Sequence, residues 1–139
     1  MQMTLEADYA VRIVMFLAKS NKRLDAKTIA ENTNVTLRFS LKILRKLVGT
    51  DIVKSFKGST GGYELARNPK DITLYSVVET VEGNFAICRC LNPDFVCTHS
   101  VHNGIPCKVQ KIYDEISNVV KEKLQSVNFA ELIDNNSCK

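Results

Sequence analysis

Cysteine and histidine side chains crowd into one short stretch of this chain. Residues 88–107 contain four of the five cysteines and both histidines, namely Cys88, Cys90, Cys97, His99, His102 and Cys107. Thiolates and imidazoles bind soft and borderline metals, and a turn-rich segment lets distant ligands converge on one point. The stretch therefore indicates a metal or iron–sulfur centre, with redox chemistry of the thiols themselves as the alternative.

The composition favours a reducing compartment for this chemistry. The 139 residues contain no apolar run long enough for a membrane span, and the N-terminus lacks the pattern of a signal peptide. We therefore expect a cytoplasmic protein with no membrane segment, in which clustered cysteines serve metal or redox chemistry rather than disulfides. No glycine fingerprint for a nucleotide cofactor follows a strand, and we predict that the chain is not an enzyme.

Charge is distributed unevenly between the two halves of the chain. Residues 1–70 carry 13 Lys and Arg against 6 Asp and Glu, a balance of +7, whereas residues 71–139 carry 6 against 9, a balance of −3. A basic first half suits a polyanion such as DNA, and an acidic second half suits a different task.

Apolar periodicity predicts three helices in the first half. One spans residues 5–20 behind the cap Thr4, a short one follows the cap Asp25, and a third begins after Thr36 and ends near residue 49. The third helix gathers leucines on one side. On another side it carries the basic residues Arg38, Lys42 and Arg45, with Lys46 close by. A helix–turn–helix presents its second helix to the major groove of DNA in this way.

A glycine-rich hairpin follows the third helix. Residues 52–56 read as a strand, the three glycines within residues 57–62 require a turn, and residues 63–65 read as a return strand. The predicted fold is mainly α with a small β-hairpin wing, a winged helix–turn–helix. The residues expected to contact duplex operator DNA are Thr36, Arg38, Ser40, Lys42, Arg45, Lys46, Lys54, Lys57 and Ser59.

The second half ends in the longest helical pattern. A helix over residues 74–82, capped by Thr73, precedes the cysteines, and a helix of about 30 Å over residues 108–127 follows them. Its apolar positions are Val109, Ile112, Tyr113, Ile116, Val119, Val120, Leu124 and Val127. We expect so long a stripe to pair with a second copy in a homodimer, the alternative being packing within the chain. The expected units are a DNA-binding domain at 1–83, a cysteine-rich loop at 84–107, and a dimerisation helix with its tail at 108–139.

These residues together resemble the IscR/NsrR family of iron–sulfur winged-helix regulators, over nearly the whole chain. The stretches that carry the likeness are Asp8-Tyr-Ala-Val-Arg12, Gly58-Ser-Thr-Gly-Gly-Tyr-Glu-Leu-Ala66 and Val77-Val-Glu-Thr-Val-Glu-Gly83. The resemblance implies a dimeric DNA-binding regulator, usually a repressor. Operator affinity would depend on a cluster that senses nitric oxide, redox state or iron–sulfur status.

The resemblance also implies a ligand set. Cys90, Cys97 and Cys107 would bind the cluster, and Asp8 from the other subunit would be the remaining ligand, as in the nitric-oxide-sensing NsrR-like branch. The biogenesis branch has a histidine three residues after the third cysteine, where this chain has Gln110. A [4Fe–4S] cluster is favoured, with [2Fe–2S] as the alternative, and nitric oxide or an oxidant is the expected signal.

Other ligand sets and mechanisms remain open from the sequence. The second gap between the three cysteines is longer than the family's usual spacing and carries His99 and His102. Either histidine could replace Asp8, and Cys88 could replace Cys90. Two rival regulators fit the same stretch: a zinc site built from the cysteines and one histidine, and a metal-free thiol switch in which Cys88 and Cys90 oxidise. Cys138 is expected to have no role.

Overall fold

Helices dominate the computed structural model, which describes residues 2–98 and 107–134. Its main elements are α1 (Leu5–Ser20), α2 (Ala26–Thr33), α3 (Leu37–Gly49), β1 (Val53–Phe56), β2 (Gly62–Leu65), α4 (Leu74–Glu82), α5 (Lys108–Gln125) and α6 (Phe129–Asp134). Short 3₁₀ turns lie at Pro69–Asp71 and Arg89–Leu91. The predicted fold class, mainly α with a hairpin wing, is confirmed. Within the described ranges, no helix has the length and apolar character needed to cross a membrane.

Side-chain caps set the starts of the first four helices. The hydroxyl or carboxylate of each cap residue accepts the backbone N–H three residues later, and the pairs are Thr4 with Ala7, Asp25 with Thr28, Thr36 with Phe39, and Thr73 with Ser76. These bonds satisfy N–H groups that have no partner inside the helix. The predicted boundaries of α1, α3 and α4 are confirmed. Their starts were predictable because each N-cap bond joins residues only three positions apart.

The core lies where α1, α2, α3 and α4 meet. Its fully buried side chains include Ile13, Leu17, Ile29, Ile43 and Leu47. The leucines of α3 do not share one environment, since Leu44 and Leu47 are buried while 46% of Leu37 and 39% of Leu41 are exposed. The expected single leucine face of α3 therefore divides into a core side and a solvent side.

The wing is an antiparallel pair in which Val53 lies opposite Leu65 and Phe56 opposite Gly62. Leu24, expected in a polar connection, extends this pair. Its N–H donates to the Tyr63 carbonyl at 2.9 Å and its carbonyl accepts the Tyr63 N–H at 2.7 Å. Gly62 has φ +144°, and a Cβ there would lie 2.5 Å from the Leu24 carbonyl oxygen. Only glycine permits this close approach.

The C-terminal helix α6 closes the same core. Phe129 is fully buried. Its N–H donates to the Ile72 carbonyl at 3.0 Å, and the Leu74 N–H donates to the Val127 carbonyl at 2.9 Å. The chain therefore returns from the long helix to complete the helical unit that begins with α1.

The expected apolar stripe of α5 divides between two sides. Tyr113, Val120 and Leu124 are half-buried on the side that includes the buried Ser117, and α5 contacts α4. A second row remains exposed, with exposed fractions of 54% for Val109, 53% for Ile112, 44% for Ile116 and 66% for Val119. We call this row the outer stripe. Packing within the chain accounts for only one side of the helix.

Candidate DNA interface and metal centre

The exposed side of α3 is basic. Arg38, Lys42 and Arg45 lie opposite the buried positions Ile43 and Leu47, as the predicted helical spacing requires. Among the residues that the structure describes, neither arginine takes part in an ion pair. Two guanidinium groups are therefore available for a polyanion.

Ser40 corrects the predicted set of DNA contacts. Its side chain is fully buried. One turn of helix places it with Ile43 and Leu44, which also face the core. The prediction that Ser40 contacts DNA is therefore wrong. Thr36 remains exposed at the helix start, where its hydroxyl accepts the Phe39 N–H at 3.3 Å.

A carboxylate from α1 holds the two lysines of the predicted interface. The Lys46 ammonium lies 2.7 Å from Glu6 Oε1, and the Lys42 ammonium lies 3.3 Å from Glu6 Oε2. The Lys46 contact, followed by the weaker contact with Lys42, holds the pKa of Glu6 below its ordinary value of 4.5 against the opposing effect of desolvation. Lys46 also donates to the Val81 carbonyl at 3.5 Å. Glu6 was not predictable as a partner of these lysines because they lie 36 and 40 positions along the chain.

The wing presents Lys54, Lys57 and Ser59, all of them exposed. It is braced by Arg23, which the sequence analysis did not single out. The Arg23 guanidinium stacks 3.3 Å from the centroid of the Phe56 ring and donates to the Thr60 carbonyl at 3.2 Å. A cation over an aromatic face is attractive even at an exposed site. Arg23 thus ties the wing to the connection between α1 and α2.

Three of the cysteines line one small cavity at the start of α5. Cys90, Cys97 and Cys107 enclose about 120 Å³ together with Phe95, Val109 and Gln110. The amide of Gln110 donates to the Cys90 carbonyl at 2.8 Å. The Ile87 N–H donates to the Ser117 hydroxyl at 3.1 Å. These two bonds hold the cysteine segment against α5. Gln110, at the position where the biogenesis branch has histidine, therefore stabilises the backbone at Cys90.

Three thiols around one cavity are a donor set that fits an iron–sulfur cluster. In an iron–sulfur cluster the cysteine thiolates bind several irons, so their sulfurs surround a volume rather than meet at a point. Within residues 2–98 and 107–134, no three Cys, His, Asp or Glu side chains converge closely enough to hold one metal ion. His99 and His102, on which the zinc alternative depends, lie outside the described residues, as does Cys138.

Cys88 lies beside this cavity, with its sulfur 3.3 Å from the sulfur of Cys90. The backbone N–H of Cys90 holds the pKa of Cys88 below its ordinary value. The hydrogen bond with Cys88 raises the pKa of Cys90.

Asp8 sits in the first turn of α1 and forms an ion pair with Arg12 at 2.6 Å. About half of its side chain is exposed. Of the residues that the structure describes, those lining the cysteine cavity do not include Asp8. At the start of the same helix, the backbone N–H and hydroxyl of Thr4 donate to Glu82 at the end of α4.

Comparisons with known proteins agree with this architecture. The model of the Rrf2 family, described as an iron-dependent transcriptional regulator, matches residues 3–135. Protein aau3 of Rhizobium meliloti is 35% identical over 65% of this chain, and the match spans 59% of that protein. The regulator NsrR of Halalkalibacterium halodurans is 25% identical over 97% of this chain and 92% of its own length. The solved structure of CymR, the global cysteine regulator of B. subtilis, has the same fold, with a TM-score of 0.76, 23% identity and 99% coverage of both chains.

Proposed function

Because this chain belongs to the Rrf2 family of transcriptional regulators, we propose that it binds operator DNA as a homodimer and that an iron–sulfur cluster controls this binding. The family places the protein among regulators rather than enzymes. The basic side of α3 and the wing meet the DNA in this proposal, with α3 in the major groove.

One observation carries the cluster assignment: Cys90, Cys97 and Cys107 line a single cavity. They would hold the cluster, [4Fe–4S] being favoured over [2Fe–2S], and Asp8 of the partner subunit would supply the remaining ligand. Asp8 would hold its iron less firmly than the thiolates hold theirs, because a carboxylate oxygen is a harder ligand than sulfur, so that iron would be the more accessible one to nitric oxide or an oxidant. NsrR relatives are consistent with this role.

The outer stripe of α5 supports the homodimer. Its four apolar side chains are 44–66% exposed, and a second copy would remove them from water. Symmetric pairing through the same surface on both subunits is the commonest arrangement of small oligomers. Such a dimer also gives Asp8 a route to the cysteines of the other subunit.

Helix α1 connects the two functions. It carries Asp8 and, two residues earlier, Glu6, whose carboxylate holds Lys42 and Lys46 of α3. If Asp8 leaves the site of the partner subunit, the first turn of α1 loses one restraint, and the change would reach the lysines of α3 through Glu6. The strict spacing of the two half-sites makes DNA affinity sensitive to small displacements of α3.

Anaerobic purification with iron and sulfide analysis tests the cluster assignment. We expect a brown protein that binds both elements. Alanine at Cys90, Cys97 or Cys107 should abolish retention of the cluster, whereas the matched Cys88→Ala control should keep it. Full iron retention in the Cys107→Ala protein would contradict the assignment.

A mixed dimer tests the origin of the fourth ligand. One subunit carries Asp8→Ala and the other carries Cys107→Ala. If the aspartate crosses the interface, the site with intact cysteines lacks its aspartate, and the site with an aspartate lacks a cysteine. We then expect no wild-type-like cluster signal. One wild-type-like cluster per mixed dimer would show that Asp8 acts within its own chain or not at all.

A metal-free thiol switch is the second candidate, and the contact of 3.3 Å between the sulfurs of Cys88 and Cys90 favours it. A disulfide needs a separation of about 2.05 Å, so only a small movement is required. Hydrogen peroxide would take one hydrogen from each thiol, the two sulfurs would form a disulfide bond, and the peroxide would leave as two waters. This candidate predicts a colourless protein whose DNA binding responds to peroxide. The Cys88→Ala protein would then lose the response, whereas the cluster proposal predicts that it keeps its response to nitric oxide.

A further inference from the structure

The basic side of α3 also exposes leucines. Leu37 and Leu41 are 46% and 39% exposed, and they share one open surface of α3 with Arg38, Lys42 and Arg45, beside Phe39. Large apolar side chains grouped in this way on a surface commonly mark an interaction site. The proposed DNA interface therefore contains an apolar component that phosphate binding does not use.

The position of the leucines indicates which part of DNA they would meet. Leu37, Arg38 and Leu41 fall within the first five residues of α3. In a helix–turn–helix, the first residues of the second helix contact the edges of the bases rather than the backbone. The 5-methyl group of thymine is the apolar group that an unmodified base pair presents in the major groove.

The charge around the leucines favours DNA over a protein partner as the occupant. Helix α3 contains no acidic residue, and its exposed side places cations on both flanks of Leu41. A surface that combines the guanidinium groups of Arg38 and Arg45, which take part in no ion pair among the described residues, with two apolar side chains matches a phosphate-lined groove carrying methyl groups.

We propose that Leu37 and Leu41 read thymine methyl groups, so that each operator half-site requires an A·T pair beside the position reached by Arg38. This inference rests on the proposed DNA-binding function and adds the class of sequence that the helix selects. Basic residues would fix affinity and register through the phosphates, and the leucines would contribute discrimination between bases.

Replacing thymine by deoxyuridine tests this directly, because the change removes only the methyl group. A binding duplex is first selected from random sequences with the full-length protein, in both its anaerobic as-purified and its cluster-stripped form. Each thymine of the half-site is then replaced singly. We expect about a fourfold loss of affinity at the positions that the leucines contact, the effect of about one buried methyl group.

The Leu41→Ala protein supplies the decisive comparison. Leu41 is exposed and alanine is the better helix former, so the fold should be retained. The ratio of affinities for thymine and deoxyuridine should fall to about one at the position that Leu41 reads, and Leu37→Ala should do the same at a neighbouring position. Leu5→Ala is the matched control, because it truncates an exposed leucine of α1 that lies outside this surface, and it should leave both ratios unchanged.

The outcomes separate thymine reading by the leucines from DNA binding itself. A selected duplex that tolerates deoxyuridine everywhere, or a ratio that survives both leucine changes, would overturn thymine reading and leave DNA binding intact. Failure to select any duplex with either form of the protein would overturn both.

Discussion

Helices α3 and α5 both expose apolar side chains, but in different settings. On α3, Leu37 and Leu41 alternate with arginine and lysine, and the helix contains no acidic residue. On α5, four apolar residues follow one another as the outer stripe, and the helix carries acidic as well as basic residues.

This difference distinguishes two kinds of interface. Apolar side chains set among cations match a polyanion that carries methyl groups. A continuous apolar row of similar length, on a helix of mixed charge, matches a copy of itself, because an isologous contact places like beside like. Exposure alone does not separate the two surfaces; the charge around the exposed residues does.

The largest effect is expected at the outer stripe. Ile116→Glu would place a carboxylate in the proposed dimer contact without a partner, a change that costs about 3–5 kcal/mol. Sedimentation should show a dimer dissociation constant raised by about 100-fold or more, with loss of operator binding. Asn118→Glu adds the same charge to an exposed position on another side of α5 and should leave the dimer intact. A dimeric Ile116→Glu protein would assign the stripe to another partner.

The next effect concerns the cations of α3. Arg45→Ala should weaken operator binding by roughly 10- to 100-fold, because an unpaired guanidinium is lost from the interface. Lys42→Ala should cost less, because Glu6 already neutralises part of that charge. Lys70, exposed on the 3₁₀ turn that contacts α6, is the control position. Equal binding by the Arg45→Ala and Lys70→Ala proteins would exclude α3 as the DNA-reading helix.

A third prediction concerns the wing. Gly62→Ala should destabilise the fold by about 2 kcal/mol and weaken DNA binding at least tenfold, because the new methyl would collide with the Leu24 carbonyl. Denaturant unfolding and a binding titration measure the two effects, and the dimer should persist. Gly49→Ala is the stability control, since no atom lies within 4 Å of its added Cβ. If the Gly62→Ala protein loses its dimer as well as its DNA binding, the DNA interface and the dimer interface are not independent.

The smallest expected effect is a gain in operator affinity. Glu6→Gln frees Lys42 and Lys46 from the α1 carboxylate, and we expect operator affinity at low salt to rise roughly three- to tenfold. Because the pKa of Glu6 is lowered in the fold, its ion pairs stabilise the protein above pH 4.5 and are lost as the pH falls through the lowered value. The free energy of unfolding of the Glu6→Gln protein should therefore depend less on pH below 4.5 than that of the wild type. An unchanged or weaker affinity would mean that Glu6 positions the lysines for DNA rather than masking them.

Local features of the fold were predictable from the sequence. Thr4, Asp25, Thr36 and Thr73 were expected as caps, and each accepts the predicted kind of bond, because a cap depends on residues three positions apart. The glycines of the wing likewise predicted a turn from their own backbone freedom. The exposed basic side of α3 followed from helical periodicity.

Features that join distant segments were not predictable. Glu6 meets Lys46 across 40 positions of sequence, and Arg23 reaches the wing from an unremarkable polar connection. The predicted DNA contacts include Ser40, whereas the structure buries it on the core side of α3 with Ile43 and Leu44. The cavity shared by Cys90, Cys97 and Cys107 was expected from a resemblance, whereas the bond from Gln110 that helps to form it needed coordinates.

The burial of Phe129 beneath α1 has a consequence for how the protein is made. The Ile72 carbonyl and the Leu74 N–H find their partners in residues synthesised more than 50 positions later. During translation the first helices therefore leave the ribosome with an open core, and the outer stripe of α5 emerges before that core can close. Closing this long loop costs conformational entropy, which the contacts of Phe129 must offset. We expect chains released before residue 129 to be captured by proteases, so only full-length chains would accumulate to compete for operators.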